Sequence, residues 1–499
     1  MPPIRSTSAY RNPGWFLALP ALLIVFLLVW AARRADPRHQ TQQRVLLVLL
    51  PGEGPTALDR AQQQALGTLV KDVLEVNGNL AVTLSPALPG PADRIPGREG
   101  WVLVFSGYRT GLDLEIRAWA GALEDLPAAP ELQRSPPAAP NVAVAGLLAR
   151  LSTVALKEDR PGILVPRSPE AFWPLLQAMS MVERSEGGEA ALALAAISEV
   201  GAPGCATPAI LRGQIHGFRA VEGLSPSHEY LDRARQAYEE ALRLAPNHPR
   251  ASYLLARLLA DTGRMKEALV LTRQLSRAHP HTHPNYQALA YVGRNAGLVG
   301  LLEAGVRGSR EILLDAKYPG RLQIGLLYLG RWDEFETSLW RRPGEPYDAV
   351  ILFHLGYLEL LRGRREQALG HFRRLRVEAQ AYPRYQKLGE VFRLTLEGDT
   401  RQALKRLGEL DQEMDGLRGA DGEFTFNLAE AYALLGDREG AFDLAGRALA
   451  QGFACTRWYE ESPLMAPMKG SPRWEALLQT LRERQARLER QFPVSDFPA

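Results

Sequence analysis

His279, His281 and His283 alternate through the run HPHTHP, and alternating imidazoles in a loop can ligate a transition metal. No fourth ligand is nearby in the sequence. The run also falls where a boundary between helical repeats belongs, so it reads as a structural loop. Glu460 and Glu461, beside Trp458 and Tyr459, form an acidic pair of the kind that general acid–base chemistry uses. Adjacent carboxylates on a surface loop are ordinarily only solvated. The PGEGP run at 51–55 follows an expected strand but carries no lysine, which makes it a turn rather than a phosphate cradle. Neither GxxxxGK[ST], HExxH nor GxSxG occurs, and there is no kinase lysine, catalytic loop or DFG run. The expectation is a chain without a catalytic set, a metal site or a cofactor, and hence not an enzyme.

The elements that remain must then do something other than chemistry. The chain has 499 residues, 46% of them hydrophobic and 23% charged, with a net charge of +3. That is room for two or three globular domains. Arg and Glu are interleaved, whereas a nucleic-acid binder gathers its basic residues on one face, so no nucleic acid is expected. Cys205 and Cys455 are the only cysteines and make no disulfide framework; they read as two ordinary thiols, with a single bridge as the alternative.

Residues 1–14 form a short basic tail. Trp15 to Ala32, WFLALPALLIVFLLVWAA, follows without a charge. Eighteen apolar residues are near the lower limit for crossing a bilayer, and Trp15 and Trp30 stand where interfacial anchors stand. The bulky run up to Trp30, followed at once by Arg33 and Arg34, favours an uncleaved transmembrane helix at 15–32 over a cleaved signal peptide or a buried core helix. The expected partner of this segment is the lipid bilayer, in a single-pass arrangement. Flanking charges lean weakly toward a cytoplasmic carboxyl-terminal side.

Residues 44–157 read as a small α/β domain in the order β-α-β-β-β-α. RVLLVLLP is a continuous apolar strand with a proline stop, Ala57 to Val76 has helical spacing, and Leu80–Leu84 is a second strand. Trp101–Tyr108 and Leu112–Ala120 are joined by a turn at Gly107 to Gly111. The second of these alternates Leu112, Leu114, Ile116 and Ala118 against Asp113, Glu115 and Arg117, the mark of one buried face. A helix from Val142 closes the unit, and 157–168 reads as a linker.

From Pro169 onward the pattern is helical. Ala234, Tyr238, Ala241 and Pro246 recur 34 residues later as Ala268, Thr272, Leu275 and Pro280, with Leu255, Ala256, Leu259 and Gly263 between them. Ala256 and Ala268 let two helices approach closely, and Gly263 can take the left-handed conformation that ends the first. The register returns at Leu355, Gly356, Gly363, Ala368 and Phe372, and again at Leu428, Ala429, Tyr432, Gly436, Ala441 and Ala448. Seven or eight helix pairs fit between 169 and 452. Residues 453–499 read as a cap on the apolar end of the array, with a charged final helix.

This period and order resemble the tetratricopeptide repeat (TPR). The strand ending in proline, the hairpin GYRTGLDLEIRAWA and the helix VAGLLARLSTVAL resemble the TolB-amino-terminal-like module, with PGEG in place of that module's PFxN-type signature. Pro463, Leu464, Pro467, Met468, Pro472, Arg473, Trp474 and Leu477 resemble the terminal segment of bacterial TPR proteins, including those attached to serine/threonine kinases and to CadC-like regulators; Ser462 and Ser471 replace its aspartates. The resemblance implies a bacterial inner-membrane protein with its solenoid in the periplasm, against the lean of the flanking charges.

The expected fold is therefore mostly α: a transmembrane helix, a small α/β domain, then an α-solenoid. The expected function is a membrane-anchored scaffold holding protein partners on the concave face of the stacked first helices. Ser252, Arg257, Phe353, Glu359, Asn427 and Glu430 are the positions expected to be exposed in that groove. The alternative is a sensory half of a signalling system, with a ligand pocket in the α/β module.

Overall fold

The computed structural model describes residues 43–76, 80–85, 87–89, 100–151, 164–184, 186, 188–221, 227–312, 323–338, 349–378, 383–416 and 421–498. The expected transmembrane helix at 15–32 and the tail before it lie outside the described residues. No helix among the described residues is long and apolar enough to cross a membrane.

The amino-terminal module is a five-stranded sheet: β1 (Gln43–Leu49), β2 (Leu80–Ser85), β3 (Trp101–Thr110), β4 (Asp113–Ala122) and β5 (Gln133–Arg134), in the order β2-β1-β3-β4-β5. β1 pairs in parallel with both β2 and β3; β4 runs antiparallel to β3, and β5 to β4. A central parallel strand covered on both faces needs apolar residues throughout, which is why RVLLVLL lacks alternation. Val45, Leu47 and Leu49 face helix α1 (Arg60–Val76), while Leu46 and Val48 pack with Val102, Val104, Leu123 and Leu126 on the other side. α2 (Pro140–Ala149) closes the module against β4.

The hairpin is tighter than the expected turn at Gly107 to Gly111. β3 continues to Thr110, and two residues, Gly111 and Leu112, make the turn, with Gly111 at φ 65°. A primed two-residue turn requires that left-handed backbone. Leu112 therefore lies exposed in the turn, while Glu115 on the expected outer face is buried between Arg117 at 3.0 Å and Arg134 at 2.7 Å. Burial alone would raise the Glu115 pKa, but the hydrogen bonds from these two guanidiniums hold it below the usual carboxylate range.

Beyond residue 168 the described residues form eight helical hairpins. They are α3 (Pro169–Glu183) with α4 (Glu189–Gly201), α5 (Ala206–Val221) with α6 (Ser227–Leu244), α7 (Pro249–Asp261) with α8 (Met265–Ala278), and α9 (His283–Ala296) with α10 (Val299–Glu311). Then come α11 (Gln323–Tyr328) with α12 (Trp332–Ser338), α13 (Ala349–Leu361) with α14 (Arg365–Glu378), α15 (Pro383–Glu397) with α16 (Thr400–Gly416), and α17 (Gly422–Leu434) with α18 (Arg438–Ala450). Gly263, Gly297, Gly330, Gly363, Gly398 and Gly436 each end a first helix at φ between 71° and 85°, the conformation expected of Gly263. The chain ends in α19 (Thr456–Glu461), a 3-10 turn at Pro463–Met468 and α20 (Pro472–Gln491).

The sheet module and the first hairpins share one core. Leu66, Leu69 and Val73 of α1 belong to the same apolar cluster as Phe172, Leu176 and Ile215. Leu164 and Val165, at the end of the expected linker, are buried, and Thr207 donates to Leu164 O at 2.7 Å. Trp173 Nε1 donates to Leu112 O at 2.9 Å, so the hairpin turn is held by the first repeat helix. Further along, Asp72 of α1 and Arg250 of α7 form an ion pair at 2.7 Å, with the Asp72 side chain 1% exposed.

Candidate functional site

In a repeat array the inner face is formed by the first helix of each pair, and the inward positions can be read from the left-handed glycines. The residue six places before each glycine is Arg257, Tyr291, Tyr357, Phe392 or Glu430, with Ile324 at the same offset in α11. Of these, Tyr357 meets both Phe392 and Glu430, whereas the Arg257 side chain stays 43% exposed. Arg294 of α9 and Tyr328 of α11 both reach Glu423 of α17, at 2.5 and 2.7 Å. Tyr357 of α13 donates to Glu430 of α17 at 2.6 Å, and Arg384 of α15 pairs with Asp421 at 2.7 Å. Thus α17, the first helix of the last pair, lies against the first helices of four preceding pairs.

Residues 452–462 complete the filling. At Gly452, φ 107°, an added Cβ would sit 2.1 Å from Ala260 O, so only glycine lets the chain pass the end of α7. Ala454 N then donates to Asn295 O at 2.7 Å, and Arg457 Nη1 to Leu329 O at 3.2 Å. This segment runs past the ends of α7, α9 and α11 in turn. Trp458 stacks edge-on against Tyr328, with centroids 4.8 Å apart, and donates from Nε1 to Tyr357 Oη at 3.2 Å. Tyr459 Oη donates to Ala445 O and Phe453 O at 3.1 and 3.0 Å. Gly452→Ala is expected to cost at least about 2 kcal/mol, the sum of left-handed strain and a backbone clash. A chemical-denaturation midpoint measured against wild type checks it; no shift would mean the segment is not held here.

The expected open groove is therefore corrected. Ser252, Phe353, Glu359, Asn427 and Glu430 are all buried, between 0% and 5% exposed. Phe353 packs among Tyr357, Phe372, Tyr385 and Phe392. Glu359 is held by Arg362 and Arg364, and Asn427 donates to Glu430 at 3.2 Å. Of the six only Arg257 remains accessible, its side chain 43% exposed and 3.7 Å from Asp261. Phe353 and Glu359 are covered by their own and adjacent hairpins, while Asn427 and Glu430 are covered where α17 meets Tyr357 of α13 and Ser462 of the last segment. Tyr328, Arg294 and Glu423 were not singled out from the sequence; the fixed offset to the left-handed glycine is a signal that finds Tyr291 and Tyr357.

Glu430 is the most enclosed acid on this face. It accepts from Ser462 Oγ at 2.6 Å as well as from Tyr357 and Asn427. Burial pushes its pKa up from the ordinary carboxylate value to about 7, only partly offset by these donors. A carboxyl whose folded pKa exceeds its unfolded value holds its proton in the fold between pH 4.5 and 7, where the unfolded chain has lost it. Its contribution is complete below pH 4.5 and falls as pH rises to 7. Glu430→Gln removes that loss and is expected to gain stability relative to wild type by up to about 3 kcal/mol between pH 5 and 8. Thermal melts of both proteins across that range test it; parallel curves would refute the assignment.

The residues that invited chemistry have structural partners. Glu460 pairs with Arg482 at 2.6 Å and Glu461 with Arg457 at 2.7 Å. His279 is buried, and burial lowers its pKa to about 4. His281 lies 3.4 Å from Tyr286 Oη. Among the described residues no three His, Cys, Asp or Glu side chains gather so as to hold a metal ion. Cys205 and Cys455 are free and buried, and burial raises their thiols to about 11 and 12. Trp332 packs partly buried against the core.

Among the clefts formed by the described residues are two lined by repeat and terminal helices. One, about 520 Å³, lies between α14, α15 and α16, with acids and bases alternating along it, such as Lys387 and Glu413 at 2.5 Å. The other, about 410 Å³, lies between the start of α8 and α20.

Residues 230–290, from α6 into α9, match the tetratricopeptide repeat family model. The hairpin array extends that match on both sides, and the chain is a TPR-containing protein whose repeats support a role as a protein–protein interaction scaffold. No curated protein matches the chain.

Proposed function

We propose that the chain is a bacterial inner-membrane scaffold without catalytic activity, whose repeat array holds protein partners on its outward surfaces. The observation that carries this reading is the stack of eight hairpins containing the TPR match, because such arrays present long surfaces in place of a single pocket. The filled inner face moves the partner surface away from the concave path. The apolar run at 15–32 supports the mooring, and the likeness of the end segment to CadC-like proteins supports a periplasmic array.

The test is capture of cross-linked partners by the full chain in mild detergent. A reproducible partner set is expected. A chain that retains no specific partner and turns over a substrate would overturn the reading. For the orientation, a carboxyl-terminal alkaline phosphatase fusion should be active and a green fluorescent protein fusion dark; the reverse pattern would place the array in the cytoplasm.

A further inference from the structure

Many arginines of the array pair with acids, some more than once. Arg212 pairs with Glu199 and Glu240, and Arg362 with Asp333, Glu336 and Glu359. The 410 Å³ cleft between α8 and α20 gathers three cations that are not so paired. Lys266, Arg484 and Arg487 line it, and none of them has a carboxylate within 4 Å among the described residues. Arg484 reaches only a backbone oxygen, Leu449 O, at 3.4 Å. The one acid in the cleft, Glu267, is engaged by Arg264 at 2.7 Å.

The backbone adds to this positive field. α8 has no side-chain cap at Arg264, and the amino-terminal end of this 14-residue helix, the positive end of its dipole, lines the cleft. Arg484 shows the strain of this crowding: burial and then the neighbouring Arg487 lower its pKa from the usual arginine value. Beneath these groups Met265 and Leu488 are buried, giving the cleft an apolar floor.

We propose that this cleft is a docking site for an acidic peptide segment of a partner protein. Its volume holds roughly three side chains, its walls are cationic, and its floor suits the methylenes of glutamate. A concave cleft fits a chain segment better than it fits a flat anionic bilayer. The proposal rests on the scaffold reading and deepens it by naming where and by what chemistry a partner engages.

The experiment uses the full chain in detergent and a fluorescein-labelled hexaglutamate peptide, read by anisotropy, with hexalysine as the control peptide. Saturable binding of hexaglutamate alone is expected, weakening several-fold as salt rises from about 50 to 300 mM. The double variant Lys266→Glu/Arg487→Glu, at two exposed positions, should bind at least 10-fold more weakly while melting as wild type does. Lys266→Gln/Arg487→Gln should fall between, and serves if the reversed charges impair folding. Absence of saturable binding, or binding unchanged in both variants, overturns the proposal. So does binding to phosphatidylglycerol vesicles that the same substitutions abolish while peptide binding persists. Partner capture by the full chain without peptide binding would overturn the cleft and leave the scaffold reading standing; peptide binding without any captured partner would do the opposite.

Discussion

Replacing Trp458 by alanine is expected to destabilise the repeat array by about 3–5 kcal/mol, the range for emptying a buried aromatic site. The side chain is 3% exposed and touches α11 through Tyr328 and α13 through Tyr357. Its loss leaves a cavity where the last segment meets the inner face and removes one donor from the Tyr357–Glu430 pair. Domains are stable by only about 5–15 kcal/mol, so the effect is a large share of the total. Urea unfolding measures it, and limited proteolysis should cut the region 453–462 sooner than in wild type. Trp458→Phe keeps the ring and loses one hydrogen bond, so it should cost about 1–2 kcal/mol. If alanine costs under about 1 kcal/mol, the segment is an appendage and the inner face is open after all.

The second large effect is expected at the junction between sheet module and repeats. Asp72→Ala should cost about 3–5 kcal/mol, because it strands a guanidinium that is largely out of water. Arg250 would keep Gln214 at 2.5 Å but lose the Asp72 carboxylate, at 2.7 Å. Removing both partners, as Asp72→Leu/Arg250→Met, should restore most of the loss, since the desolvation of both charges disappears with the pair. The comparison of single and double variants isolates the pair energy. A double variant as unstable as Asp72→Ala would mean that packing, not charge, carries this junction.

These two effects share a cause. Both sit where the ends of the chain are tied to its middle: α1 to α7 at one end, 452–462 to α9, α11 and α13 at the other. The array is consequently held at both ends, and Glu423 and Glu430 find their partners inside it.

Much of this architecture is legible in the residues. The unbroken apolar run of β1 fixes a strand buried on both faces. The 34-residue recurrence, with small residues at Ala256 and Ala268 and a glycine at the end of six of the first helices, dictates hairpins of helices and their stacking. Local chemistry decides these features, because helix periodicity and left-handed glycines act over a few residues. The same pattern marks buried inward positions, since Tyr357, Phe392 and Glu430 share one offset from their glycines.

What lies inside the curve was decided only in three dimensions. A repeat sets the angle between neighbours, and small errors in that angle accumulate along eight pairs, so whether the array stays open or meets its own end cannot be read from one unit. Close contacts such as Gly305 against the backbone of Ala290 tighten each step, and the sum brings Glu430 to Tyr357, 73 residues away in sequence. Positions that a single repeat leaves open thereby become the interior of the protein. The three unpaired cations around α8 and α20 arise in the same way: 218 residues separate Lys266 from Arg484, and only the returning last helix sets them side by side.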